Sequence, residues 1–194
     1  QVTRSSTVLM VDMSRSMFYS DSFTSAKRIA LALDSLIRSK YPRDTLELVG
    51  FSYIAEKLEQ SDLPTLTWNE YQYGTNMQHG FQLARQMLGR HKGANRQIII
   101  ITDGEPTAHI ENGQVYFNWP PMPRTFQETL KEVVRCTRDA IKINTFMLER
   151  TPMMIEFVND LMRINGVRVF YATPDKMGEY ILVDYVANKR RWVG

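Results

Sequence analysis

Two carboxylates and three hydroxyls in this chain fall where apolar runs end or helices begin. Asp12-Met13-Ser14-Arg15-Ser16 follows the run Thr7 to Val11, and Thr102-Asp103-Gly104-Glu105 follows four consecutive isoleucines, Ile98 to Ile101. Gly74-Thr75-Asn76 leads into a helical stretch. In an extended turn the alternate residues Asp12, Ser14 and Ser16 direct their oxygens toward one point. Oxygen-only donors select a hard cation over zinc or copper, and Mg²⁺ is the natural choice, with Mn²⁺ or Ca²⁺ as alternatives. The competing reading is plainer, because Ser, Thr and Asp at strand ends also cap helices. Glu105 either reaches the metal or one of its waters or is a solvated loop carboxylate, and it is left outside the ligand set.

For these residues to meet, separate strands must bring their ends together. Thr7 to Val11 and Arg96 to Thr102 are short apolar runs of the kind that strands buried on both faces show. Thr45 to Phe51 alternates as a further strand, and Ser52 to Leu58 returns antiparallel at an edge. Lys142 to Leu148 and Val167 to Tyr171 complete the strands. Helical spacing runs from Phe23 to the stop at Tyr41-Pro42, through Met77, Phe81, Ala84 and Leu88, and through Phe126 to Ile141. Two more helices follow, one capped by Thr151-Pro152 and one from Pro174 to about Asn188. Strands alternating with helices of this length predict a three-layer, doubly wound α/β fold: a mostly parallel sheet, helices on both faces and one antiparallel edge strand. Ligands of such sheets bind beyond the carboxyl ends of the strands, where the polar residues stand. Residues 108–123 interrupt the rhythm with a hairpin turning at Asn112-Gly113 and a Pro-rich stretch, an insert expected beside the metal site.

Composition narrows the function classes. The apolar runs are far shorter than the roughly 20 residues of a membrane span. The 24 basic and 21 acidic residues leave a net charge of +3, with the basic ones scattered except at Lys189-Arg190-Arg191. That is too little for a nucleic-acid face. Cys136, the single cysteine, excludes an internal disulfide framework and sits in a helix, where it reads as inert; it favours a reducing, cytoplasmic setting. Residues 1–194 read as one domain, the C-terminal part of a longer protein. His79, His91 and His109 are expected at the surface and form no metal cluster. Met13 and Arg15 face either a partner or solvent. Trp119-Pro120-Pro121-Met122-Pro123 reads as a recognition loop or, by a narrow margin, as a rigid connection packed on its own domain, and Lys189-Arg190-Arg191-Trp192 as a solvated helix end in preference to a basic tail that docks on an acidic partner.

Asp-x-Ser-x-Ser after the first apolar strand, Gly-Thr-Asn before a helix and Thr-Asp-Gly after an all-isoleucine strand together resemble the metal ion-dependent adhesion site of the von Willebrand factor type A family. The resemblance implies that Ser14, Ser16 and Thr75 ligate a cation through hydroxyls, while Asp12 and Asp103 hold metal-bound waters or alternate with direct contact. Mostly neutral ligands would leave the dication much of its charge, so that a partner's Asp or Glu carboxylate is attracted to an open position. Thr102-Asp103-Gly104-Glu105-Pro106-Thr107 is further similar to the loop of the CoxE-like and magnesium chelatase D-like branch. That branch implies a bacterial intracellular module working with a MoxR-type AAA+ ATPase or its substrate. The alternatives are a metal-dependent hydrolase or phosphotransferase, or a purely stabilising metal. Against catalysis, Ser14 stands two residues after Asp12 where phosphoryl transfer would want a second carboxylate, and no histidine adjoins the serines. A binding module, not an enzyme, is the expectation.

Overall fold

A computed structural model describes residues 3–70, 73–166 and 168–191. Strand β1 (Ser5–Asp12) is buried along its whole length. It pairs in parallel with β2 (Thr45–Phe51) on one side and β4 (Asn95–Thr102) on the other. Its side chains alternate between two cores, Val8 and Met10 in one, Leu9 and Val11 in the other. The isoleucines of β4 divide the same way, Ile98 and Ile100 against Ile99 and Ile101. Both faces are covered, which is why both strands read as unbroken apolar runs.

The six-stranded sheet has the order β3-β2-β1-β4-β7-β8, where β3 is Ala55–Leu58, β7 Lys142–Met147 and β8 Val169–Tyr171. β3 runs antiparallel to β2 at one edge, and the other neighbours are parallel. The first core packs under α3 (Met77–Leu88), α4 (Pro123–Arg138) and α5 (Pro152–Asn165). The second packs under α1 (Arg15–Tyr19), α2 (Ser22–Lys40) and α6 (Pro174–Arg191). Each fully buried aliphatic side chain contributes about 1.5–3 kcal/mol to holding these layers together. The fold is therefore the three-layer doubly wound α/β arrangement that the alternation of patterns predicts. A separate hairpin, β5 (Ala108–Glu111) and β6 (Gln114–Phe117), turns through Asn112 and Gly113 at φ of 50° and 76°.

Local chemistry sets the helix ends. Thr151 Oγ1 accepts the Met154 N–H at 3.2 Å to open α5, and Gly166, at φ 74°, closes it. The Asn76 side chain does the same for α3, accepting the His79 N–H at 2.9 Å.

Several expectations need correction. The stretch read as an extended turn is interrupted by α1, which holds both Arg15 and Ser16, and a 3₁₀ helix at Gln60–Thr65 has no clear apolar period to announce it. Met13 faces neither partner nor solvent: it is 2% exposed, within the second core. His109 is not a surface residue but 3% exposed, bonded to Thr125 Oγ1 at 2.9 Å and Glu111 Oε2 at 3.2 Å. Trp119, expected to pack on its own domain, is 72% exposed. Lys189 is 7% exposed and pairs with Asp44 at 2.9 Å instead of ending a solvated helix. Val167 and Trp192 lie outside the described residues. Among those described, no helix is long and apolar enough to cross a membrane.

Candidate metal centre

Val11 pairs with Ile101 across β1 and β4, so the next residue on each strand, Asp12 and Thr102, come side by side at the carboxyl ends. This is also where the chain's crossovers part to opposite faces, α2 returning over one and α3 over the other. Such a switch point leaves a crevice between the loops.

Thr102 Oγ1 donates to Asp12 Oδ2 at 2.7 Å, and Asp12 Oδ1 accepts the Ser14 N–H at 2.8 Å. Ser14 Oγ lies 3.2 Å from Ser16 Oγ, which donates to Asp103 Oδ1 at 3.1 Å. One line of polar contacts thus joins Asp12, Ser14, Ser16 and Asp103 across two loops. It begins at a fully buried carboxylate and ends at the exposed Ser16 and the half-buried Asp103. Ser14 occupies the cap position of α1, yet its hydroxyl makes no capping bond. The helix-cap alternative therefore does not account for its side chain.

The fifth candidate, Thr75, is placed by a neighbouring loop. Its N–H donates to Thr107 Oγ1 at 2.8 Å and its carbonyl accepts the Thr107 N–H at 3.0 Å. Asn76 N–H donates to Ser52 O at 2.8 Å, as Met13 N–H does to Phe51 O, so the loops after β1, β2 and β4 are stitched together. Gly74, at φ 73°, lets the backbone turn there and brings Phe117 against it: a Cβ would stand 3.0 Å from the ring. Thr75 is tied to Thr107 and not to the other four candidates.

The electrostatics of the crevice are unbalanced. Burial pushes the Asp12 carboxyl up to about 7; the charge of Asp103 adds to this, against hydrogen bonds from Ser14 and Thr102. Burial likewise raises Asp103. Neither carboxylate forms an ion pair among the described residues. Two nearby carboxylates in such a place favour a compensating positive charge. No cluster of three or more His, Cys, Asp or Glu side chains occurs among the described residues, so a cation here would depend on hydroxyl oxygens as well as the two aspartates. A hard ion such as Mg²⁺ suits that donor set.

Thr102 and Thr107 support the candidate centre without being among its five candidate residues, the one bonded to Asp12 and the other to Thr75. By pattern alone Thr102 is the end of a strand and Thr107 part of a loop. A hydroxyl closing an all-isoleucine strand was the available signal, since a buried polar group needs a partner. Glu105 is not simply solvated: it accepts the hydroxyl of Thr151, tying this loop to the start of α5. His79 and His91 belong to other contacts, with the Ala55 N–H at 2.9 Å and Glu47 at 3.6 Å. Burial pushes the Cys136 thiol up to about 12, which leaves it unreactive.

The chain has relatives. It is 32% identical over 194 residues to the uncharacterized protein Rv0959 of Mycobacterium tuberculosis, an alignment covering 97% of this chain and 29% of that protein. The chain thus spans less than a third of the length of this curated relative. In fold it resembles the pilus adhesin SpaC of Lactobacillus rhamnosus GG in an open conformation. The TM-score is 0.71 at 17% identity, over 98% of this chain and 30% of that one. It also resembles an aerotolerance-related membrane protein of Bacteroides fragilis, with a TM-score of 0.64 at 14% identity, over 91% of this chain and 96% of that one. Residues 5–186 match the model of the Rv0959-like protein vWA domain, and the chain therefore belongs to that vWA family.

Proposed function

We propose that Asp12, Ser14, Ser16, Thr75 and Asp103 hold a divalent cation, Mg²⁺ in the first instance, through which the domain binds an Asp or Glu carboxylate of a protein partner. The observation that carries this reading is the polar line Asp12–Ser14–Ser16–Asp103, in which a buried carboxylate without a cationic partner among the described residues lies at one end and exposed oxygens at the other. vWA domains commonly serve protein interaction and adhesion, and one protein of similar fold is by name a pilus adhesin. The cation would supply a concentrated positive charge for an incoming carboxylate. This chain's own part is to aim the hydroxyls and keep Asp12 dry.

The partner we favour is a MoxR-type AAA+ ATPase or its substrate, in the cytoplasm; the support is the similarity of the Thr102–Thr107 loop. The role is binding, not turnover: the nearest histidine in sequence to the serines, His79, uses Nδ1 to accept the Ala55 N–H.

Calorimetric titration of Mg²⁺ and Mn²⁺ into the EDTA-treated chain tests the reading. A one-site isotherm is expected for the parent, abolished in Asp12→Ala. An unchanged isotherm in Asp12→Ala removes the site from this crevice, and absence of binding even with a Glu-containing peptide present removes the cation from the function.

A further inference from the structure

Arg15 stands between Ser14 and Ser16, two of the hydroxyls assigned to the cation. Its guanidinium is exposed and makes no ion pair among the described residues. Asp12 and Asp103 together balance one dication, so a further cationic side chain beside it leaves an excess of positive charge that an anion arriving from outside would offset. Yet Arg15 is not left to wander. Its Nε and Nη2 donate to Tyr19 Oη at 2.9 and 2.7 Å. The guanidinium carbon lies 5.0 Å from the Tyr19 ring centroid and 5.7 Å from that of Trp68, both within cation–π range.

The chemistry of the fork then narrows the ligand. A guanidinium carries five N–H donors, and the two bonds to Tyr19 leave three, those of Nη1 and one of Nη2. These include the outer edge of the fork, the edge that takes a carboxylate by two parallel hydrogen bonds. Because the rings and the phenol already restrict the side chain, less rotamer freedom remains to be lost on binding.

We propose that Arg15 is a second anchor for the partner, so that the recognised segment carries two acidic side chains close in sequence, one for the cation and one for Arg15. The inference rests on the metal-dependent reading above and adds to it a selectivity for acidic pairs over single acids.

The test compares short peptides on the 194-residue chain in saturating Mg²⁺, by calorimetry or NMR shift titration. One peptide holds a single Glu; two others place a second Glu one or two positions on. The better two-acid peptide is expected to bind about fivefold tighter than the single-acid one, the upper end for a solvent-exposed charge pair. In Arg15→Gln that ratio falls to near one, and Arg15→Lys, which keeps the charge but not the fork, falls between. Arg163→Gln removes the same charge from the far end of α5 and keeps the full ratio. Mg²⁺-dependent binding of the single-acid peptide without a two-acid preference overturns this proposal alone, as does an equal loss in Arg15→Gln and Arg163→Gln. If no peptide binds in an Mg²⁺-dependent way, the metal reading falls and takes this one with it.

Discussion

At the scale of single residues, the fold places polar atoms according to what can satisfy them. Asp12 is fully buried, and the Ser14 N–H and the Thr102 hydroxyl bond its carboxyl oxygens, two bonds that offset only part of the cost of burying a charge there. His79 shows the opposite case, a base held neutral. Its Nδ1 accepts the Ala55 N–H at 2.9 Å, and burial lowers its pKa. With the folded value below the unfolded one, this contribution to stability is complete above about pH 6.5 and is lost as pH falls toward the folded pKa. We expect urea unfolding to show stability falling with pH over that acid range because of this site. The loss should be absent in His79→Phe. A parent and variant with the same slope below pH 6.5 would assign the acid sensitivity elsewhere.

At the scale of elements, the candidate centre depends on loops that hold one another. The N–H of Thr75 ends on the hydroxyl of Thr107, which is itself buried. Thr107→Val keeps the shape and removes the acceptor, leaving a buried N–H unpaired at a cost of about 1–3 kcal/mol. The same change loosens the Thr75 loop, which keeps its carbonyl bond to the Thr107 N–H, so Mg²⁺ affinity should drop along with stability. Thermal melts with and without Mg²⁺ measure both effects. A variant that loses stability but keeps its Mg²⁺-dependent shift would show that Thr75 is not positioned through Thr107. The hairpin joins this support through Gln78, whose side chain exchanges hydrogen bonds with Ile110 at 2.6 and 2.8 Å.

At the scale of the whole molecule, α6 closes the structure back onto its first strand. Lys189 Nζ reaches Asp44 at 2.9 Å, the carbonyl of Thr3 at 2.7 Å and Ser5 Oγ at 3.3 Å. Asp44 also accepts the Ser5 N–H at 2.9 Å and the Tyr185 hydroxyl at 2.7 Å. Three stretches distant in sequence, the start of the chain, the Asp44 loop and α6, thus meet at one buried carboxylate at the pole opposite the candidate centre. Lys189→Met removes the cation and leaves Asp44 buried and charged. It should cost on the order of 3 kcal/mol, or roughly 6–12 °C in Tm for a chain of this size. A differential scanning calorimetry shift under a degree would show that the serine and tyrosine bonds suffice.

What the sequence by itself determined is the layered α/β architecture and the order of its principal strands. That information is local: unbroken apolar runs demand burial on both faces, helical spacing demands a covered stripe, and Thr151-Pro152 and Tyr41-Pro42 mark ends by their own backbone chemistry. It also put Asp12, Ser14, Ser16 and Asp103 at strand ends, where a parallel sheet gathers its loops. Only the tertiary structure decided what those residues touch. That Thr102 would bond Asp12 depends on the register of β1 against β4, and that Thr107 would hold Thr75 depends on a contact across 32 positions. Likewise, nothing near Lys189 in the chain announces Asp44, and nothing near His109 announces its burial. Polar residues carry no periodic signal of their own, and whether one is solvated or paired is settled by distant segments that meet only once the chain has folded.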